Sequence, residues 1–265
     1  MANVLDSFRL DGQVVLVTGA GSGLGAAFAQ ATAEAGADVA CADLDLDAAN
    51  STAREIRALG RRAVALKADV SQEADVVAMV RATVEQLGGL DVVFANAGIA
   101  EPTQPLIESS LESWQRLIDV DLTSVFLTAR EAAKVMIPRG KGKIISTASI
   151  YGLVANFRPG RGRAYAAAKA GVVNLTRSLA IELAAANIQV NAIAPTYART
   201  NIAGGMLRGE SDESRQVLAQ IAERTPIGRI GTPDEFKGVA VFLASAASNL
   251  MTGYTVAVDG GYLAW

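Results

Sequence analysis

A chain of 265 residues that is 51% hydrophobic and 19% charged can bury one large core, and its formal net charge of −3 gives no general attraction to nucleic acid or to an anionic membrane. It holds no histidine and a single cysteine, Cys41, which removes Ser-His-Asp and Cys-His nucleophilic catalysis, Cys/His zinc sites and internal disulfides. The lone thiol suits a reduced, cytoplasmic setting, and MANVLDSFRLDG carries charges where a signal peptide would be apolar.

In chain order, Val14–Thr18 is a continuous apolar run stopping at a glycine cluster, the pattern of a parallel strand buried on both faces. Leu24–Ala35 reads as an alanine-rich helix closed by Gly36, Asp38–Ala42 as a strand, and Leu46–Leu59 as a helix closed by Gly60. The alternation runs on through strand Ala63–Ala68, helix Gln72–Leu87, strand Asp91–Ala95, helix Leu111–Ile137 and strand Lys143–Thr147. Helix Ala164–Ala185 and strand Ile188–Ala194 follow, then a polar stretch, Asn201–Pro226, a short helix from Pro233 and a last strand at Thr255–Val258. Such alternation, with no repeat or low-complexity linker, predicts one doubly wound α/β domain over 1–265: a parallel sheet with helices on both faces. Gly12–Ala33 and Gly238–Val258 are uncharged and long enough to span a bilayer. Polar residues interrupt both, so no membrane span is expected.

The turn after the first strand, Thr18-Gly19-Ala20-Gly21-Ser22-Gly23-Leu24-Gly25, lets backbone N–H groups approach a pyrophosphate at a helix N-terminus. Close helix–strand packing alone also asks for small residues there. Asp43, just past the second strand, is placed to bind a ribose 2′-hydroxyl, or else belongs to the acidic first turn of the next helix with Asp45 and Asp47. A carboxylate there repels the 2′-phosphate of NADP, and neither Ser22 nor Leu44 supplies a cation to hold one, so NAD is expected. Asp69-Val70 and Asn96-Ala97-Gly98 end two further strands, where ligands of open α/β sheets bind. Their structural readings are a helix N-cap for Asp69, a role Ser71 also fits, and for Asn96 a turn with Gly98 at positive φ.

Tyr165 and Lys169 share one face of a predicted helix. A phenol titrates near 10, so general acid/base work at neutral pH needs a nearby ammonium or a cationic ring. Ser149, past the fifth strand, offers a hydroxyl to the reacting oxygen.

With those residues in view, the chain resembles the classical short-chain dehydrogenase/reductase family over nearly its whole length. The matching pieces are TGAGSGLG at 18–25, Asp69-Val70, NAG at 96–98, STASIYG at 146–152, YAAAK at 165–169, IQVNAIAP at 188–195 and DGG at 259–261. The resemblance implies a Rossmann fold with seven strands in the order 3-2-1-4-5-6-7, hydride transfer between NAD and a secondary alcohol or its ketone, and a homotetramer. It implies that Tyr165 is the acid/base, that Ser149 positions the substrate oxygen, and that Lys169 lowers the tyrosine pKa and holds the nicotinamide ribose. Gly19, Ser22, Gly23, Leu24, Gly25, Asp43, Leu44, Asp69, Val70, Asn96, Ala97 and Gly98 would then bind the nucleotide, with Pro195, Ala198 and Thr200 near the carboxamide. No metal is required. Asn201–Pro226 reads as a substrate lid, and its polar residues lean toward a polyol or sugar-type substrate. The alternatives are a 3-oxoacyl carrier-protein reductase using NADPH and an NAD-binding sensor without turnover.

Three departures stand out. Asp121 occupies the position of the family's usual asparagine; it either keeps a water relay to Lys169 or is an interior polar residue without catalytic duty. The Ser149–Tyr165 spacing is three residues longer than usual, the excess falling in Arg158–Arg163. Those arginines either meet a polar or anionic substrate or lie on a solvated loop or subunit contact. Thr196 follows Pro195 where glycine is common, and the terminal Trp265 docks on its own chain or on a neighbour's.

Overall fold

The computed structural model describes residues 3–101, 103–157, 162–200, 202, 207, 209 and 211–265. Seven strands form one parallel sheet: β1 (Val14–Thr18), β2 (Asp38–Asp43), β3 (Ala63–Lys67), β4 (Val92–Ala95), β5 (Gly142–Thr147), β6 (Ile188–Pro195) and β7 (Thr255–Val258). Their order is β3-β2-β1-β4-β5-β6-β7, every pair parallel, so the order reverses between β1 and β4. That reversal opens the crevice at the carboxyl ends in which such sheets bind ligands.

The helices are α1 (Gly23–Glu34), α2 (Leu46–Ala58), α3 (Glu73–Leu87), α4 (Leu111–Ile118), α5 (Ser124–Met136), α6 (Arg163–Leu183), α7 (Asp212–Glu223) and α8 (Lys237–Ala244). The period-2 alternation of each strand divides them into two layers. Val15, Val17, Val39, Cys41, Val92 and Phe94 point to one face and pack on Phe28 and Ala29 of α1, Ile56 of α2 and Leu243 of α8. Val14, Leu16, Ala40, Val93 and Ile144 point to the other, against Val76 and Met79 of α3, Leu127 and Met136 of α5, and Leu183 of α6. Each fully buried Leu, Ile or Phe contributes about 1.5–3 kcal/mol. Cys41 belongs to this core, and burial pushes its thiol up to about 12, so it packs rather than reacts.

Positive φ at Gly36 and at Gly88 (+112° and +92°) stops α1 and α3 just before β2 and β4, which keeps the connections short. The one long helix expected over Leu111–Ile137 is instead interrupted: Asp119–Thr123 forms a π-turn between α4 and α5, where the Ser124 N–H bonds the Asp119 carbonyl. One residue is thereby inserted into the turn, and Asp121 sits within it, fully buried. The Pro233 helix begins as a 3₁₀ turn, Pro233–Phe236, and runs into α8. Of the stretch 201–226, residues 201, 203–206, 208 and 210 lie outside the described residues. α7 covers much of the remainder and packs Val217 and Ile221 on Leu207, Ile230 and Tyr197. No helix among the described residues is long and apolar enough to cross a membrane.

Candidate active site

The β1–α1 turn is shaped by close approach. Gly19 and Gly23 take positive φ (+66° and +57°), and a Cβ on Gly25 would lie 2.0 Å from the Gly19 carbonyl oxygen. A Cβ on Gly21 would meet Asp43 Oδ2 at 2.8 Å. Asp43 stands at the end of β2, where Oδ2 accepts the Gly21 N–H at 2.8 Å and Oδ1 the Asp45 N–H at 3.0 Å. The helix-capping alternative falls to Asp45, whose side chain accepts from Asp47 and Ala48 at the start of α2. Asp43 is therefore a brace for the glycine turn with acceptor capacity left over.

At the next strand end, Asp69 Oδ1 takes the Ser71 N–H (3.0 Å) and hydroxyl (2.7 Å), while the N-cap of α3 is Gln72, without a side-chain bond. Neither Asp69 nor Ser71 is the cap, then; Asp69 closes a tight turn beside buried Val70. Asn96 ties three strands together: Nδ2 donates to Thr18 O (2.9 Å) and Oδ1 accepts from Thr147 Oγ1 (3.0 Å). The positive φ expected at Gly98 is absent; glycine is needed there because a Cβ would lie 3.0 Å from Asp121 Oδ2.

Ser149, Tyr165 and Lys169 come together past β5. Ser149 is buried; its Oγ accepts the Tyr151 N–H at 3.1 Å and it hydrogen-bonds the Tyr165 phenol. Lys169 Nζ donates to Thr147 O at 3.0 Å, lies 5.5 Å from the Tyr165 ring centre, and pairs with Asp121 Oδ2 at 3.2 Å. Asp121 Oδ1 accepts the Ile99 N–H at 2.8 Å, while Oδ2 is left to the Lys169 ammonium. Burial pushes the phenol of Tyr165 up from its ordinary value, the Lys169 ammonium and the Ser149 bond pull it down, and the Asp121 charge adds to the rise. Burial also opposes the Lys169 charge, but Asp121 and Tyr165 outweigh it and hold the lysine above its ordinary range. Asp121 itself is raised by burial against the pull of Lys169.

One cavity of about 900 Å³ joins these parts. Gly19, Ser22, Gly23, Leu24, Gly25, Asp43, Leu44, Asp69, Val70 and Asn96-Ala97-Gly98 line its nucleotide end, and Ser149, Tyr165, Lys169, Pro195, Ala198 and Thr200 the other. Asp121 lies behind Lys169, outside the wall. Thr196 lines it too, with a buried hydroxyl that has no partner among the described residues. Of the three arginines after Ser149, Arg158 and Arg161 lie outside the described residues. Arg163 opens α6 away from the cavity, donating to Gln104 O (3.0 Å) and Ser109 Oγ (2.7 Å). Trp265 is exposed.

Three wall residues escaped the sequence reading. Tyr151 and Tyr197 meet edge to face, with hydroxyls 2.5 Å apart, and Tyr262 bonds the same Tyr151 hydroxyl. Glu101 follows the NAG motif and accepts the Tyr165 N–H at 3.2 Å. Tyr151 and Tyr197 each stand two positions beyond a strand-end residue already singled out, Ser149 and Pro195, and that offset was the available signal.

Residues 19–263 match the family described as enoyl-(acyl carrier protein) reductase. The chain is 43% identical over 218 residues to the cis-4-hydroxycyclohexanecarboxylate dehydrogenase of Sinomonas cyclohexanicum, spanning 82% of this chain and 84% of that one. It is 39% identical to the 2-dehydro-3-deoxy-D-gluconate 5-dehydrogenase of Dickeya dadantii (strain 3937), over 98% and 99% of the two chains. The solved structure of a gluconate 5-dehydrogenase from Burkholderia cenocepacia J2315, in complex with NADP and tartrate, has a TM-score of 0.91 at 37% identity, covering 99% of this chain and 100% of that one. The fold and these matches define a nicotinamide-dependent oxidoreductase acting on CH–OH groups. The chain belongs to the classical short-chain dehydrogenase/reductase family.

Proposed function

We propose that the enzyme interconverts a secondary alcohol, of polyol or sugar type, and its ketone with NAD, using Tyr165 as the acid/base. The observation that carries this reading is the single cavity running from Asp43 to Ser149, Tyr165 and Lys169. The glycine turn suits a dinucleotide, because Gly19, Gly23 and Gly25 line the cavity, the first two at positive φ and the third with no room for a Cβ beside the Gly19 carbonyl. Gly19, Ser22, Gly23, Leu24 and Gly25 would cradle the pyrophosphate, while Asp69, Val70, Asn96, Ala97 and Gly98 would surround the adenosine. Leu44 and Asp43 would hold the adenine ribose, and Pro195, Ala198 and Thr200 the carboxamide. When bound, the nicotinamide supplies the acceptor or donor of the hydride exchanged with the carbinol carbon.

In the oxidative direction the Tyr165 phenolate takes the alcohol proton, and in reduction it returns that proton to the ketone oxygen. Lys169 favours the phenolate against burial and offers its remaining N–H to the ribose. Ser149 holds the reacting oxygen. Asp121 tethers the Lys169 ammonium from behind. The 201–226 segment, whose Leu207 and Val217 line the cavity, would cover the substrate end. The functional unit in this reading is a cytoplasmic homotetramer.

Purified enzyme is to be assayed on polyols, cyclic alcohols and diols with NAD and with NADP. A higher kcat/KM with NAD, and a loss of about 10²–10⁴ in kcat on Tyr165→Phe with nucleotide binding retained, is the expected result. A second reading, reduction of a 3-oxoacyl carrier-protein thioester with NADPH, is favoured by 37% identity over 215 residues to the 3-oxoacyl-[acyl-carrier-protein] reductase of Synechocystis sp. and by the NADP in the Burkholderia relative. Strong NADPH preference with turnover of that thioester selects it. NAD binding without turnover of any alcohol or ketone selects a sensor instead.

A further inference from the structure

The substrate end carries a charge for which the proposed reaction has no use. The side chain of Glu101 is only 7% exposed, yet it lines the cavity beside Tyr165. Its Oε2 accepts the Tyr165 N–H at 3.2 Å, supplying an acceptor that Gly162, the N-cap of α6, has no side chain to provide. The other oxygen, Oε1, stands 3.7 Å from Arg163 Nη2, beyond hydrogen-bond reach. That guanidinium is engaged with Gln104 and Ser109 and forms no part of the wall. The cavity therefore meets a carboxylate whose counter-ion is behind it. Among the described residues, the other charges lining this side are Lys169, already paired with Asp121, and Arg116, exposed on α4, with the acids Glu112 and Asp119 one turn away on either side. A buried carboxylate oxygen with spare lone pairs is completed by a hydroxyl donor and opposed by a second carboxylate.

We propose that Glu101 sets the charge of the accepted substrate: Oε1 accepts a hydroxyl from a neutral diol or polyol, and an alcohol carrying a carboxylate in its place is turned away. This rests on the reading of the cavity as a secondary-alcohol site. It separates the chain from its Sinomonas, Dickeya and Burkholderia relatives, which are named for a hydroxycyclohexanecarboxylate and for gluconates, all of them carboxylates.

The test compares cyclohexane-1,4-diol with cis-4-hydroxycyclohexanecarboxylate, which share a ring and differ in one group, using wild type, Glu101→Gln and Glu101→Ala with NAD. Glutamine keeps an acceptor for the Tyr165 N–H and loses the charge. It is expected to raise KM for the diol, lower KM for the acid and shift their kcat/KM ratio toward the acid by about ten-fold or more. Alanine also removes the acceptor and is expected to lower kcat on both substrates, with glutamine restoring it; thermal unfolding of each variant separates this from loss of fold. Competitive inhibition of diol oxidation by cyclohexanecarboxylate, weak in wild type, is expected to tighten by about ten-fold in Glu101→Gln, reading the same charge without turnover of the acid. A ratio and an inhibition constant unmoved by Glu101→Gln, in an enzyme that oxidises either alcohol, overturn the inference alone. A wild type inactive on every secondary alcohol overturns the parent reading and takes this one with it.

Discussion

Asp121 touches the ammonium on which the Tyr165 phenolate depends, at 3.2 Å, and its charge raises the phenol that Lys169 lowers. Asparagine there would keep an acceptor for the Ile99 N–H and remove the charge. The Tyr165 ionisation should then fall, and the limb of the alcohol-oxidation pH profile that reports it should move to lower pH. An unmoved limb in Asp121→Asn would leave Asp121 as packing only. Lys169 would lose its buried counter-charge, so the variant should also lose about 3 kcal/mol of stability by denaturant unfolding. Lys143, buried on β5 with Ser248 Oγ at 3.1 Å as its one side-chain partner among the described residues, gives a second pH signature. Burial lowers it from 10.5 to about 8. The unfolded chain binds the extra proton between those values, so this group's penalty is complete below about 8 and fades as pH rises to 10.5. Lys143→Met should therefore be more stable than wild type by about 2–3 kcal/mol at pH 7 and show little advantage near pH 10.5, read as paired unfolding curves. An equal advantage at both pH values would count against burial as the cause. Ser149, Tyr165 and Lys169 were legible because spacing on one helix and one strand end carries them. Glu101 was not, since its partners Tyr165 and Arg163 are brought to it only when α6 folds back onto the loop after β4.

Among the elements, the β1–α1 turn is the least tolerant of added atoms. A Cβ on Gly25 would lie 2.0 Å from the Gly19 carbonyl and 2.6 Å from Asn96 Nδ2, and the carbonyl cannot rotate away, so α1 itself must shift. Gly60, after α2, has open space around it and only its φ of +80° to satisfy. Gly25→Ala should cost about 3 kcal/mol and weaken NADH binding, followed by fluorescence titration, whereas Gly60→Ala should cost about 1 kcal/mol and leave binding alone. The reverse ranking would remove close approach as the reason for the glycine. Glycines at helix ends also explain why the limits of α1, α2 and α3 could be read to within a residue or two from sequence, whereas α7 was hidden in a polar stretch: Gly36, Gly60 and Gly88 all take positive φ. The π-turn at Asp119–Thr123 left no such mark. Apolar periodicity reports which face is buried, and that face continues from Leu117 to Val125 across the inserted residue. Seating Asp121 in that turn is what brings its carboxylate to Lys169 and the Ile99 N–H.

For the whole molecule, the parallel sheet with helices on both faces follows from strand–helix alternation and its order from the family resemblance, but the outer surface keeps apolar groups that neither accounts for. On α6 the solvent-facing side runs through Ala167, Ala170, Asn174 and Ser178 to Ile181, which is 82% exposed. Phe126 on α5 is 42% exposed, with Arg130 over its ring, and Leu111 and Trp114 of α4 are also uncovered. The small side chains along α6 let a second helix come close, and the flanking apolar groups then leave water. Such a face fits the proposed homotetramer, with α5 and α6 meeting their copies across twofold axes. Sedimentation should give a species of four times the 27.4 kDa chain mass. Ile181→Glu combined with Phe126→Glu should break it into smaller species and lower the melting temperature, because a buried unpaired carboxylate is costly at each copy of the contact. Neither side chain lines the cavity, so nucleotide affinity in the dissociated protein reports whether one chain suffices for the nucleotide site. A wild type that sediments as a monomer, or a double variant that stays at the tetramer mass, would remove these helix faces as the assembly surface.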